Sequence, residues 1–188
     1  MVGNDLVDLQ FAKSESNWQR KGFLEKQFTI KEQQLILHAT NSFNVVWRLW
    51  SMKEAAYKIV TQQHEKRFFA PYKFECSFIS EAEGIVFFEK NKFFTTTFFN
   101  SFYCHTIAQK TNDKLAVFSS VGMPETIDCE IKKRLQELTG VLVEEISQRK
   151  SSVGAPLYYQ KEKIVTNSCS ISHNGNYGAF AFTLQNES

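Results

Sequence analysis

The stretch from Phe74 to Phe118 most restricts what this chain can fold into. Phe residues pair up there as Phe87-Phe88, Phe93-Phe94 and Phe98-Phe99, within short runs that alternate or stay apolar. Aromatic side chains suit a pleated, half-buried surface, so the stretch predicts sheet. Glu81-Ala82-Glu83-Gly84, Glu89-Lys90-Asn91 and Lys110-Thr111-Asn112-Asp113 divide it with hairpin-type punctuation. The whole chain carries 18 Phe in 188 residues, enough for one domain with a sizeable core or two tightly packed halves.

Helix patterns flank this stretch. Residues 45–61, VVWRLWSMKEAAYKIVT, run without Gly or Pro, and apolar residues recur at Val46, Leu49, Trp50, Tyr57 and Val60. Residues 17–40 also read as helix, broken near Gly22. Within them Thr29-Ile30-Lys31-Glu32 has the form of a capping box. Val2–Leu9 reads as a strand passing into a turn. Pro124 precedes a helix at about 125–139 that Gly140 closes, and three or four short strands follow. The last two join across His173-Asn174-Gly175-Asn176, whose Asn-Gly pair is a hairpin signal. The best boundary lies at 119–124, which divides the chain into half-domains 1–118 and 119–188 of a single 1–188 domain. The fold class expected is α+β, with antiparallel sheets packed against helices.

Net charge is +2, too weak an imbalance for a nucleic-acid binder. Cys76, Cys104, Cys129 and Cys169 are far apart and form no CxxC pair, which argues against a disulfide framework or a structural zinc site. The N-terminus has no basic or apolar leader, and no run approaches the roughly 20 apolar residues that span a bilayer. A cytoplasmic protein without membrane or nucleic-acid partners is expected.

Three places hold residues with chemistry. In the 45–61 helix, Lys53 falls in the middle of the apolar stripe, where it must snorkel out or meet an anion. Glu54 and Lys58 follow at i,i+4. They fit an exposed ion pair. The less common reading is a carboxylate flanked by ammonium groups, suited to a metal–phosphate complex. In Gly3-Asn4-Asp5-Leu6-Val7-Asp8, an extended backbone points Asp5 and Asp8 to opposite faces, and Asp5 is the candidate ligand. Ser170-Ile171-Ser172-His173-Asn174-Gly175 reads as a polar hairpin turn or a phosphate cradle. Gly154-Ala155-Pro156 could simply start a strand. His38, His64 and His105 pair with no ligand at metal spacing, and GxSxG, Walker A and GxGxxG are absent.

Taken in order, GNDLVDL, WSMKEAAYK and SISHNGNYGAFAF resemble the marks of the 4′-phosphopantetheinyl transferase superfamily: a G-x-D segment, a W-x-x-K-E-A-x-x-K helix and an S-x-S-H strand. Phe28-Thr29-Ile30-Lys31-Glu32, Arg48 and Phe69-Ala70-Pro71-Tyr72-Lys73-Phe74 also have family-like counterparts. The resemblance implies that the chain moves the phosphopantetheine arm of coenzyme A onto a serine of an apo acyl, peptidyl or polyketide carrier protein. The reaction would need Mg²⁺ and release adenosine 3′,5′-bisphosphate. The alternative is a non-catalytic coenzyme A or nucleotide-binding protein of the same fold.

Carried over by motif, Asp5 and Glu54 would be metal ligands, and Lys58 would sit near the α-phosphate or the serine hydroxyl. Lys53 would position phosphates. Ser172 and His173 would hold coenzyme A phosphates, and Gly154, Ala155 and Pro156 would cradle the adenine. The S-x-S-H segment comes last, as in the short holo-acyl-carrier-protein synthases, which act as trimers. The extra Phe-rich stretch fits either a trimer subunit with an insertion or a permuted pseudo-dimer with the site inside one chain; the pseudo-dimer is preferred, and a monomer or homotrimer follows. The family's D-x-E reads Asp5-Leu6-Val7 here, so water or Asp8 would complete the metal shell. Arg20, Lys21 and Lys26 form a candidate basic rim for an acidic carrier.

Overall fold

A computed structural model of the chain describes residues 1–68, 70–110 and 116–185. The Phe-rich stretch is sheet. Strands β1 (Val2–Asp8), β2 (Glu75–Phe78), β3 (Glu83–Phe88), β4 (Asn91–Phe99) and β5 (Tyr103–Gln109) form one antiparallel sheet in the order β1-β5-β4-β3-β2. The turns expected at 81–84 and 89–91 are where the chain reverses. Most of the third expected turn, Thr111 onward, lies outside the described residues, as does Phe69. Another reversal, at 100–102, contains no Gly or Pro. Asn100 makes it by accepting from the Phe102 and Tyr103 amides at 2.8 and 2.9 Å.

Helix α1 (Leu9–Glu15) begins where the strand reading of the N-terminus ended, because Asp8 caps it. Residues 17–40 are therefore not one helix. They hold α2 (Phe23–Gln27) and α3 (Ile30–His38), separated because Thr29 must be extended to cap α3. The capping box is complete: Glu32 N–H donates to Thr29 Oγ1 at 3.3 Å and Thr29 N–H donates to Glu32 Oε2 at 2.8 Å. Helix α4 (Ser42–His64) extends the expected 45–61 pattern at both ends, capped by Asn41. It lies across β1 and β5 and buries Leu49, Met52 and Ile59 against Phe74, Val86 and Phe93 of the sheet side.

The rest of the chain builds a second core. Strands β6 (Phe118–Gly122), β10 (Thr166–Asn174) and β11 (Tyr177–Leu184) form an antiparallel sheet in the order β10-β11-β6, under α5 (Ile127–Thr139). Ile131, Leu135, Phe180 and Phe182 are buried there. Strands β7 (Ile146–Lys150), β8 (Pro156–Gln160) and β9 (Lys163–Ile164) make a small third sheet. The orders β1-β5-β4 and β6-β11-β10 are alike: each unit's first strand pairs with its last.

Two close fits place the site, one within the first unit and one between the two. First, β1 lies so near α4 that a Cβ on Gly3 would sit 2.0 Å from the Ala55 carbonyl oxygen, which only glycine permits. Second, the edge of β1 not paired with β5 is met by side chains of β10. The amides of Val2, Asn4 and Asp8 donate to Ser168 Oγ, Ser170 Oγ and Asn174 Oδ1 at 3.0, 3.0 and 2.8 Å. Hydroxyls at i, i+2 and i+4 of a strand share a face, so Ser168, Ser170 and Ser172 form one row along this seam. The row satisfies backbone donors that a buried strand edge would otherwise leave unpaired.

Candidate functional site

Gly3 brings β1 onto α4, and Asp5 stands two residues further along the same strand face. Its carboxylate oxygen Oδ1 accepts from Lys58 Nζ at 3.1 Å, and Lys58 also donates to the Asn4 carbonyl at 2.7 Å. The ammonium of Lys58 therefore turns to β1, and the surface pair with Glu54 is not among the ion pairs of the described residues. Glu54 sits one helical turn before Lys58, mostly buried. Burial first, then the neighbouring Asp5 charge, raise its carboxyl to about 7, with Lys58 pulling the other way. Burial also raises the Asp5 carboxyl, against the Lys58 charge and hydrogen bond. Asp5 and Glu54 open on one cavity of about 260 Å³, walled by Trp47, Trp50 and Tyr57 and reached from β10 by His173.

Asp8 does not join this pair. Its Oδ1 accepts from the Gln10 and Phe11 amides and its Oδ2 from the Asn176 amide, at 2.9, 3.0 and 3.0 Å. Both oxygens are thus occupied as a helix cap and a hairpin brace. Among the described residues, no three His, Cys, Asp or Glu side chains gather as a metal cluster. Asp5 and Glu54 are the two carboxylates that line the cavity.

Lys53 and Ser172 have protein partners of their own. Lys53 is 1% exposed, and its three ammonium donors go to Glu32 Oε2 at 2.7 Å, the Pro71 carbonyl at 3.1 Å and the Phe74 carbonyl at 2.5 Å. It meets an anion, as a lysine in an apolar stripe must, but that anion is a protein carboxylate and no donor remains for a phosphate. Glu32 Oε1 accepts in turn from the Cys76 amide at 2.7 Å. Ser172 lies in the seam row and donates to Asn4 Oδ1 at 2.7 Å. It stitches β10 to β1 and lines none of the cavities described here.

A second cavity, about 250 Å³, continues past Tyr57 and Lys58 to Gly154, Ala155 and Pro156. A third, about 310 Å³, runs behind Gly154 and Pro156 to His173 and Lys150. Tyr57, Gly154 and His173 each wall two of the three, so the cavities ring the meeting of α4, β10 and the 151–156 loop. Arg67 also walls the second cavity. Nothing in the sequence pattern singles it out, since it follows α4 in a loop without a motif. Tyr57 had a signal, but as one of the apolar stripe. Arg48 is tied elsewhere, to the Ser80 and Glu83 carbonyls and over the Phe78 ring.

A family model described as the 4′-phosphopantetheinyl transferase superfamily matches residues 1–117, which hold both carboxylates, Lys58 and the Gly3 contact. The chain belongs to this superfamily. Its α+β build, with antiparallel sheets against helices, is the fold expected from that resemblance. Among solved structures it is similar to the holo-[acyl-carrier-protein] synthase of Thermotoga maritima, at 13% identity and a TM-score of 0.44, over 85% of this chain and 82% of that one. No curated protein sequence matches it. Among the described residues no helix is long and apolar enough to cross a membrane.

Proposed function

We propose that this chain transfers the 4′-phosphopantetheine arm of coenzyme A to the serine hydroxyl of an apo carrier protein, with Mg²⁺, releasing adenosine 3′,5′-bisphosphate. One observation carries the reading: Asp5, Glu54 and Lys58 lie with His173 and Gly154–Pro156 around neighbouring cavities that share walls within a single chain. The donor is a pyrophosphate diester with several negative charges, and this ring offers donors and cations at separated points to hold it. Gly154–Pro156 would take the adenine, His173 a terminal phosphate, and Lys58 the pyrophosphate oxygens.

The carboxylate pair fits Mg²⁺. It is a hard oxygen donor set of the kind that binds Mg²⁺ together with substrate phosphates and water. Two neighbouring buried carboxyls, both raised, also gain most from a cation between them. When bound, Mg²⁺ supplies charge neutralisation across the pyrophosphate. The serine oxygen then bonds to the β-phosphorus and the bond to the bridging oxygen breaks, so that oxygen leaves with the bisphosphate. With the cation present Glu54 would be held ionised, and the serine proton would leave through a water on that carboxylate. Lys58 stabilises the charge that builds on the leaving group.

The acidic carrier would approach over Arg20, Lys21 and Lys26. Arg20 lies 5.0 Å over the Phe23 ring, which stacks on Trp50 of the cavity wall. A site complete in one chain supports a monomer, with the 1–118 and 119–188 halves as its two walls. The compartment proposed is the cytoplasm, in keeping with the four free cysteines.

The test is to incubate apo carrier protein, coenzyme A and MgCl₂ and weigh the carrier by mass spectrometry. A gain of one phosphopantetheine supports transfer. Coenzyme A binding without a gain supports the non-catalytic alternative, and neither binding nor gain overturns both. Mixing Asp5→Asn with His173→Ala chains tests the single-chain site, which predicts no recovery of activity.

A further inference from the structure

We infer that Arg67 is a positioning residue: it clamps the 151–156 loop to the end of α4 and so sets the width of the cavity between Lys58 and Gly154–Pro156. The functional half of this inference rests on the coenzyme A reading above; the clamp itself does not.

The chain leaves α4 at Glu65, whose φ of 51° is in the left-handed region. That turn ends the helix and lets Arg67 come back over the cavity. Arg67 donates from both Nε and Nη2 to one acceptor, the Val153 carbonyl, at 3.0 and 2.7 Å. A planar fork closing on a single oxygen fixes direction as well as distance. Gly154 follows directly. Its φ is +82°, and a Cβ there would sit 2.6 Å from Arg67 Nη2. The backbone conformation is what requires glycine, and the guanidinium tip lies directly on it.

The loop is otherwise closed on itself. The Gly154 amide donates to the Ser151 carbonyl, the Ser151 amide to the Ala155 carbonyl, and the Ala155 amide to Ser151 Oγ, at 2.9, 2.9 and 3.1 Å. These bonds shape the loop but do not say where it sits relative to α4. Val153 O is the acceptor that reaches outward, and Arg67 is the side chain that α4's end offers to it. Its ends are held by the pairing of Lys150 with Pro156; without the clamp its outer turn, 152–154, is free to move off α4. A single exposed bond of this kind contributes little to the fold, so the variants remain folded.

The experiment uses Arg67→Ala, Arg67→Lys and Gly154→Ala in the full chain, with two readouts. Hydrogen exchange of the peptide spanning 151–156 should speed by about tenfold in both Arg67 variants, as local opening becomes easier, with peptides of α4 and β10 unchanged. The KM for coenzyme A should rise about tenfold with kcat within about threefold, the pattern of a lost ground-state fit. Lysine keeps the charge but cannot fork, so it should not rescue. Gly154→Ala strains the loop backbone itself, so it should speed exchange there at least as much as Arg67→Ala.

Unchanged exchange in Arg67→Ala would overturn the clamp. Full rescue of KM by lysine would overturn the positioning role in favour of a bare charge contact. If wild type neither binds coenzyme A nor modifies a carrier, the functional reading fails, while the exchange measurement still decides the clamp.

Discussion

Replacing Lys53 with Met should unfold this protein far more readily while leaving its hold on coenzyme A almost unchanged. Lys53 and Glu32 are 1% and 0% exposed, with Nζ 2.7 Å from Oε2. Removing the ammonium strands a buried carboxylate whose remaining partners are the Thr29 and Cys76 amides, and it takes a donor from the Phe74 carbonyl, while the Pro71 carbonyl keeps the Phe74 amide. Breaking one side of a buried pair costs about 3–5 kcal/mol. With a urea dependence near 2 kcal/mol per molar, the midpoint should fall by about 2 M. Glu32→Gln should cost a similar amount, since it strands the lysine instead. The double variant should be more stable than the sum of the two losses by about 2–3 kcal/mol. Equilibrium urea denaturation followed by fluorescence of Trp47 and Trp50 measures all three. In the folded fraction, the KM for coenzyme A should stay within about threefold of wild type, because no donor of Lys53 faces the cavity. A midpoint near wild type with a KM raised tenfold or more would refute the reasoning and return Lys53 to the phosphates.

Glu54→Gln should lower kcat by at least about 100-fold, the scale of one lost acid–base or ligand role, in the carrier-modification assay; turnover within a few-fold of wild type at saturating Mg²⁺ would remove Glu54 from the site. His173→Ala should raise the KM for coenzyme A more than it lowers kcat, and should erase most of the preference for coenzyme A over dephospho-coenzyme A; an unchanged preference would place the 3′-phosphate elsewhere. His105 is buried beside Asn4, and burial lowers it from 6.5 to about 4. Between those values the unfolded chain binds the extra proton, so this contribution to stability is full above pH 6.5 and is lost as pH falls toward 4. Relative to His105→Gln, wild type should lose about 3 kcal/mol from pH 7 to pH 4; an equal difference at both pH values would show that His105 is not held neutral.

What lay in the sequence was local. The stripe of α4, the Thr29–Glu32 box, α5 closed at Gly140, the aromatic strands and the turn at Gly175 each depend on residues a few positions apart. Near-neighbour periodicity and capping chemistry therefore determine them. The opposite directions of Asp5 and Asp8 follow in the same way from the two-residue period of a strand. The start of α1 needed only Asp8 as well, but a carboxylate after a strand has more than one local use.

The tertiary structure decided which partners these groups found. Lys53 required an anion wherever it went, and the packing of α3 on α4 supplied Glu32, 21 residues away. Lys58 stood at the right spacing for Glu54, yet the close approach that Gly3 allows offered it Asp5 instead. Ser172 could have faced a ligand, but the bare edge of β1 claimed its whole row of hydroxyls. Arg67 and Val153 are 86 residues apart and carry no pattern until the two units meet. A side chain's chemistry is written at its own position, but burial and partners come from surfaces brought together across the chain, and those two terms select its role.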